Sequence, residues 1–399
     1  MQIRLKRHHG SRQQDRSGNM AAGNTAEGNM AEGNRATGNM RIGLIGLGTV
    51  CEYVHYPGFS RIPGVEIAGL CEVDGDLLAR RQAQWGVADG FTDVDRFLAT
   101  VKPDAVAVAV PNVYHRDIVL RSVEAGCHVL CEKPIGMTVA ETVDMYESAR
   151  NAGVRHMTAF TYRFVPGMRY LKHLVDEGQL GEIRHARFQR LQDWGEHSVG
   201  WRQYRRMAAT GELGDMGIHR IDFAEHLLGP IKSVCASLKQ VIPRDRTEDG
   251  RACEPQDVED WVAWIAEFES GTTGVFEMGK LTKGHGPGGD HDLCELNGTI
   301  GSAAYRLHTP CAILAGPRRA RYRRRRVPAG FLTVPGSPRD PKEGDPAQTF
   351  RFDQAWEFVC AIREERDCVP SFYHGMRAQV VAEAILEAAE SRRWVDVPA

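Results

Sequence analysis

The sequence predicts an α/β chain in two parts. A doubly wound parallel sheet with helices on both faces comes first, and a C-terminal α+β part built on a large, mainly antiparallel open sheet follows. Three observations predict it. A short apolar strand at residues 42–45 runs into Gly46-Leu47-Gly48-Thr49-Val50-Cys51 and a helix-compatible stretch. Strand and helix patterns then alternate to about residue 165, and beyond Pro166 long strand-like runs follow one another with few helices between them. At 399 residues the chain exceeds what one core serves, so two domains are expected, 40–165 and 166–399, with the final helices packing back on the first.

The first turn needs a glycine at 46, and Gly48 lets the backbone amides at the helix start, Thr49 and Val50, approach a pyrophosphate. The third small position of this Rossmann fingerprint is Cys51 in place of Gly or Ala. A second strand, 65–73, carries Glu72 near its end, about twenty residues past the loop, where a carboxylate accepts hydrogen bonds from the adenosine ribose and repels a 2′-phosphate. NAD is therefore the expected cofactor, with NADP kept open by the nearby Arg80 and Arg81.

Helices are expected at 76–84 and 93–99, then a buried strand at 105–110 that ends in Pro111-Asn112. A helix at 115–125 stops at Gly126, and the strand 127–131 delivers Glu132-Lys133-Pro134. A helix at 139–151 and a strand at 154–160 complete the alternation. Repeated βα units place ligands at the carboxyl ends of the strands, the rim on which Gly48, Asn112 and Lys133 fall.

The second part should hold strands at 183–191, 231–241, 258–268, 274–278 and 293–297, then helices at 352–363 and 375–391. Its chemical centre is the segment from Gly211 to Asp222, where Asp215 and His219, four apart, share a helical face. Removing hydride from a secondary alcohol requires a base for the hydroxyl proton, and imidazole has the right intrinsic pKa. His219 is assigned that role, with Lys133 stabilising the developing alkoxide and Asp215 binding a neighbouring hydroxyl or orienting the base.

A hydrophobic share of 42%, a charged share of 26% and a net charge of −2 ask for neither nucleic acid nor membrane. The start has no apolar signal core, and ten scattered cysteines suit a reducing compartment, so a cytoplasmic location is expected. Cys127, His128 and Cys131 lie along a strand without the turn that zinc loops use, which argues against a metal. Residues 1–39 repeat Gly-Asn every fifth position with almost nothing apolar to bury, so a disordered tail is expected, and Met40 is a candidate natural start. The arginine-rich run 318–326 reads as solvated surface between sheet elements, and Gly284-His285-Gly286-Pro287-Gly288-Gly289 as a mobile loop.

Four motifs together resemble the Gfo/Idh/MocA oxidoreductase family over residues 40–399: the glycine-rich turn, Pro111-Asn112-Val113-Tyr114-His115, Glu132-Lys133-Pro134, and Tyr162-Arg163-Phe164-Val165-Pro166. The resemblance implies an NAD(P)-dependent dehydrogenase or reductase acting on a sugar, sugar derivative or cyclitol, working as a homodimer or homotetramer. It adds Pro111, Asn112, His115, Glu132 and Lys133 to the cofactor contacts. It also adds Tyr162, Arg163 and Arg202, the last from Trp201-Arg202, to Lys133, Asp215 and His219 as substrate contacts. Two rivals remain, a glycosidase that retains NAD and oxidises transiently, and a regulator that binds the dinucleotide without chemistry. The regulators typically lack the lysine or histidine, and here both are present.

Overall fold

The computed structural model describes residues 39–399 except 195, 197–199, 248 and 287–290. The expected disordered tail (apart from Asn39) and part of the expected loop at 284–289 lie outside the described residues.

The first sheet has six parallel strands in the order β3-β2-β1-β4-β5-β6. They are β1 (Met40–Ile45), β2 (Val65–Cys71), β3 (Gly90–Phe91), β4 (Ala105–Val108), β5 (His128–Cys131) and β6 (His156–Thr158). Order reverses between β2-β1 and β4, the switch point at which α/β sheets open a crevice. Short polar caps start its helices. Asp74 accepts from the amides of Asp76 and Leu77 ahead of Gly75–Trp85, and Thr138 from that of Glu141 ahead of Val139–Asn151. Gly43 sits where a Cβ would come within 2.5 Å of the Phe97 ring, so the glycine lets the helix Val94–Val101 lie against the sheet.

The second sheet has nine strands in the order β14-β13-β12-β11-β7-β10-β9-β8-β15. They are β7 (Ile183–Leu191), β8 (Ile231–Lys239), β9 (Trp261–Phe268), β10 (Thr273–Gly279), β11 (His291–Gly298), β12 (Gly301–Arg306), β13 (Ala312–Pro317), β14 (Arg323–Arg326) and β15 (Val395–Asp396). Every pairing is antiparallel except β7 with β10. One face alternates buried residues such as Phe188, Trp264, Phe276 and Leu296 into a core under the helices Ile218–Leu228 and Phe372–Ser391. The other face is open, with Val275 and Ile265 paired across strands and both exposed.

Several bounds differ from the sequence reading. Strand β2 ends at Cys71, leaving Glu72 beyond it, and β6 is shorter than expected because Phe160 leaves the ladder for a 3₁₀ turn, Thr161–Phe164. The arginine run is exposed throughout, but only 318–322 lies between sheet elements: Arg323–Arg326 form the edge strand β14, paired with β13. A row of arginines on an edge discourages further strand pairing. The helix Phe352–Arg363 crosses back to the first sheet, where Phe358 and Val359 are buried with Ile42, Leu44 and Phe59.

Candidate active site

At the end of β1, Gly46 has φ +84°, and a Cβ there would lie 2.5 Å from the carbonyl oxygen of Ala109, so both conformation and space demand glycine. Gly48 differs. A Cβ at 48 would meet nothing within 4 Å, and Gly48 and Thr49 are exposed. Packing does not require glycine here, whereas close approach of a phosphate to the backbone does, so the turn with Thr49 and Val50 fits the pyrophosphate of a dinucleotide. Cys51 is fully packed, and the chain enters its helix through a π-helical turn, Cys51–His55.

Glu72 stands beside this turn, its Oε2 accepting from the Leu47 amide at 2.8 Å and its Oε1 from the Asp74 amide at 3.2 Å. Each oxygen keeps a lone pair for a ribose hydroxyl. Of the two arginines that kept NADP open, Arg80 is exposed and Arg81 spends its charge on Glu52 through a bidentate pair at 2.6 and 2.7 Å. A phosphate would have to displace that carboxylate.

Three residues expected at the cofactor have side chains engaged by protein. The Asn112 amide is buried and donates to the carbonyl of Ala208 at 3.1 Å. His115 is fully buried between two carbonyl oxygens, Pro134 at 2.7 Å from Nδ1 and Val110 at 2.9 Å from Nε2. Burial holds its pKa below the ordinary value, so the neutral ring donates to one of them. Glu132 meets His55 Nε2 at 3.1 Å and accepts from the Lys133 amide at 3.2 Å. These side chains tie the rim loops to each other, and Pro111 starts the turn Asn112–Tyr114.

Lys133 leaves the end of β5 and donates from Nζ to the Asp215 carbonyl at 2.6 Å and to Asp215 Oδ1 at 3.1 Å. Arg202, stacked over Trp201 at 4.4 Å, brings its Nε to 3.8 Å from the same Oδ1. Burial alone would raise the Asp215 pKa, but the two cations hold it well below the usual carboxylate range. Asp215 lies in a π-helical turn, Leu213–Gly217, rather than on the α-helix that carries His219. Glu259 fixes that turn by accepting from the amides of Gly211 and Leu213 at 2.8 and 3.0 Å.

His219 is 2% exposed with Nδ1 unpartnered, packed edge-to-face on Tyr162 with ring centroids 4.6 Å apart. Burial lowers its pKa well below 6.5, and Lys133 is the nearest charge in effect, followed by Arg220, Arg190 and Arg351. The ring is therefore neutral and able to accept a proton. Lys133, Asp215, His219, Arg202 and Tyr162 are thus gathered at one place, where the ends of the first sheet's strands meet the second sheet. Arg163 is not among them. Its guanidinium makes a buried bidentate pair with Asp222 at 2.8 and 2.6 Å, a contact inside the core that replaces the expected substrate role.

Sequence reasoning missed four residues. Arg190 and Asp292 are cross-strand partners on the buried faces of β7 and β11, and Arg220 pairs with the same Asp292. The signal was there: both Arg190 and Asp292 sit in period two with core residues, Phe188 and Cys294, where an apolar side chain is the rule. Glu212 is fully buried with neither oxygen partnered. A cavity of about 400 Å³ lies behind Pro134 and Gly214, walled by Thr138, Thr210, Gln379 and Leu386, but the side chains of the trio do not line it.

Residues 40–160 match the oxidoreductase family with an NAD-binding Rossmann fold, and residues 168–304 match the Gfo/Idh/MocA C-terminal domain. Levoglucosan dehydrogenase of Pseudarthrobacter phenanthrenivorans is 30% identical over 82% of this chain and 89% of its own. The D-glucoside 3-dehydrogenase of Escherichia coli is 34% identical over 50% of this chain and 57% of its own. A solved structure of levoglucosan dehydrogenase with NADH and levoglucosan superposes with a TM-score of 0.81 at 28% identity, covering 90% of this chain and all of that one. Motif order, site geometry and whole-length likeness agree: the chain belongs to the Gfo/Idh/MocA family of NAD-binding oxidoreductases.

Proposed function

We propose that this enzyme uses NAD to oxidise a secondary hydroxyl of a sugar, sugar derivative or cyclitol, or reduces the matching ketone with NADH. The observation that carries the reading is the convergence of Lys133, Asp215 and neutral His219 beside a turn built to admit a pyrophosphate. The similar proteins named for levoglucosan and D-glucosides support the sugar class.

Bound NAD supplies the acceptor for the hydride that leaves the carbinol carbon. His219 takes the hydroxyl proton as that bond breaks, and the Lys133 ammonium hydrogen-bonds the same oxygen while it carries alkoxide character. Asp215 orients the ammonium and accepts from an adjacent hydroxyl, and Arg202 closes the exposed side of that carboxylate. Tyr162 keeps the imidazole ring in place through its edge-to-face contact.

The same reading assigns residues 40–165 to the cofactor and 166–399 to the substrate and to assembly through the open face of the second sheet. A cytoplasmic location is supported by ten free cysteines. The test is absorbance of reduced nicotinamide as the protein meets NAD, and separately NADP, with monosaccharides, glycosides and inositols. Turnover lost in Lys133→Ala and in His219→Ala is expected. Free sugar released from glycosides with no net reduced cofactor would give the role to the NAD-retaining glycosidase instead.

A further inference from the structure

Arginines crowd the ring packed on His219, and among the described residues one of them lacks a charged partner. Tyr162, the ring packed on His219, has Arg220 at 5.4 Å and Arg351 at 5.6 Å from its centroid. Arg190 and Arg220 share one carboxylate, Asp292. Lys133 and Arg202 share Asp215, and Arg244 and Lys280 share Asp260. Glu212, in the field of Lys280, Arg190 and Arg220, adds little negative charge at neutral pH because burial pushes its pKa up to about 8. Among the described residues Arg351 has no carboxylate within ion-pairing distance. Its guanidinium donates to Gln348 Oε1 and Tyr162 Oη and lies 5.3 Å from the Phe350 ring, half-buried.

The cofactor's phosphates belong at Gly46–Val50, at the end of β1, whereas Arg190, Arg220 and Arg351 come from β7, the helix Ile218–Leu228 and the C-terminal segment. A neutral polyol is recognised by paired donors and acceptors and leaves the half-buried Arg351 guanidinium without a charged partner, which is costly. An acid group on the substrate compensates it and matches the fork of an arginine.

We propose that the substrate is a sugar or polyol bearing an anionic group, a carboxylate or a phosphate ester, and that Arg351 receives this group while His219 and Lys133 address a hydroxyl. The proposal rests on the reading of His219 and Lys133 given above. Tyr162 contacts both the imidazole and the Arg351 guanidinium, so a six-carbon chain with a hydrogen bond at each end reaches from one to the other.

The test titrates the NADH-loaded enzyme by cofactor fluorescence at low ionic strength with matched pairs: D-gluconate against D-glucitol, D-glucuronate against D-glucose, and glucose 6-phosphate against glucose. Hydride transfer is followed in parallel on the NAD-loaded enzyme. The anion of at least one pair should bind about tenfold tighter or more, as expected for a charge-assisted hydrogen bond. Which pair shows it separates carboxylate from phosphate. The preference should shrink with added salt, disappear in Arg351→Met and persist in part in Arg351→Lys, each variant's fold checked by circular dichroism. Equal or better binding of the neutral member in every pair overturns the proposal, as does a preference that survives Arg351→Met with the fold intact. Anion preference in binding without hydride transfer in any pair would leave this inference standing and remove the dehydrogenase reading. Turnover of neutral sugars with no preference would do the reverse.

Discussion

Lys133 is held by the carbonyl and the carboxylate of one residue, Asp215, so its ammonium is fixed at two points rather than left to swing from a strand end. Lys133→Ala and His219→Gln should each lower kcat/KM by about a hundredfold or more with folding unchanged, measured by steady-state kinetics beside circular dichroism. Because burial and Lys133 push the His219 pKa well below 6.5, the base form persists below the ordinary histidine range. The acid limb of kcat/KM for oxidation should therefore lie well below pH 6.5, and a limb at the ordinary value would show that His219 is not the base. Glu212 works in the opposite sense. Its folded pKa of about 8 exceeds the ordinary 4.5, so the folded state keeps a proton that the unfolded chain releases across that window. Stability then falls as pH rises from about 4.5 to 8 and levels off above. Glu212→Gln should unfold at the same denaturant concentration as the parent near pH 4.5 and be more stable at pH 9, by on the order of 3 kcal/mol.

At the scale of elements, the rim is assembled by contacts between loops rather than by any one of them. His115 joins the turn after β4 to the Lys133-Pro134 loop, Glu132 joins that loop to the helix after β1, and Asn112 joins the β4 turn to Ala208 of the second part. This is why the motif residues were legible as a group but not in their roles: spacing shows that Asn112, His115 and Glu132 reach the rim, and only the fold shows that they reach each other. Asp215 and His219 were legible as a pair because four residues are about one helical turn. Arg163 misled because it sits inside a recognisable motif, while its partner Asp222 lies on a helix that sequence spacing cannot pair with it. Breaking that pair should show its nature. Arg163→Met should cost about 3 to 5 kcal/mol in chemical denaturation, and Arg163→Met with Asp222→Leu should recover much of it with KM unchanged. A raised KM in the refolded double variant would return Arg163 to the substrate site.

For the molecule as a whole, the nine-stranded sheet is covered on one side only. On the open side Val275 and Ile265 face each other across β10 and β9, the sixth and seventh strands of the sheet, while arginines guard the β14 edge. If this face joins subunits, Val275→Glu should reduce the mass measured by sedimentation velocity without unfolding the monomer, and an unchanged mass would place assembly elsewhere. The two-part plan was readable because period-two and βα patterns differ, and the return of the final helices to the first domain was expected only in outline, since nothing local says which core a helix will join. That return has a consequence for synthesis. Phe358 and Val359 complete a core that includes Ile42, Leu44 and Phe59, which leave the ribosome roughly three hundred residues earlier. The half of the enzyme that is made first is thus finished last, and a message truncated before codon 352 should yield a chain whose first sheet lies open to proteases, however complete its glycine-rich turn.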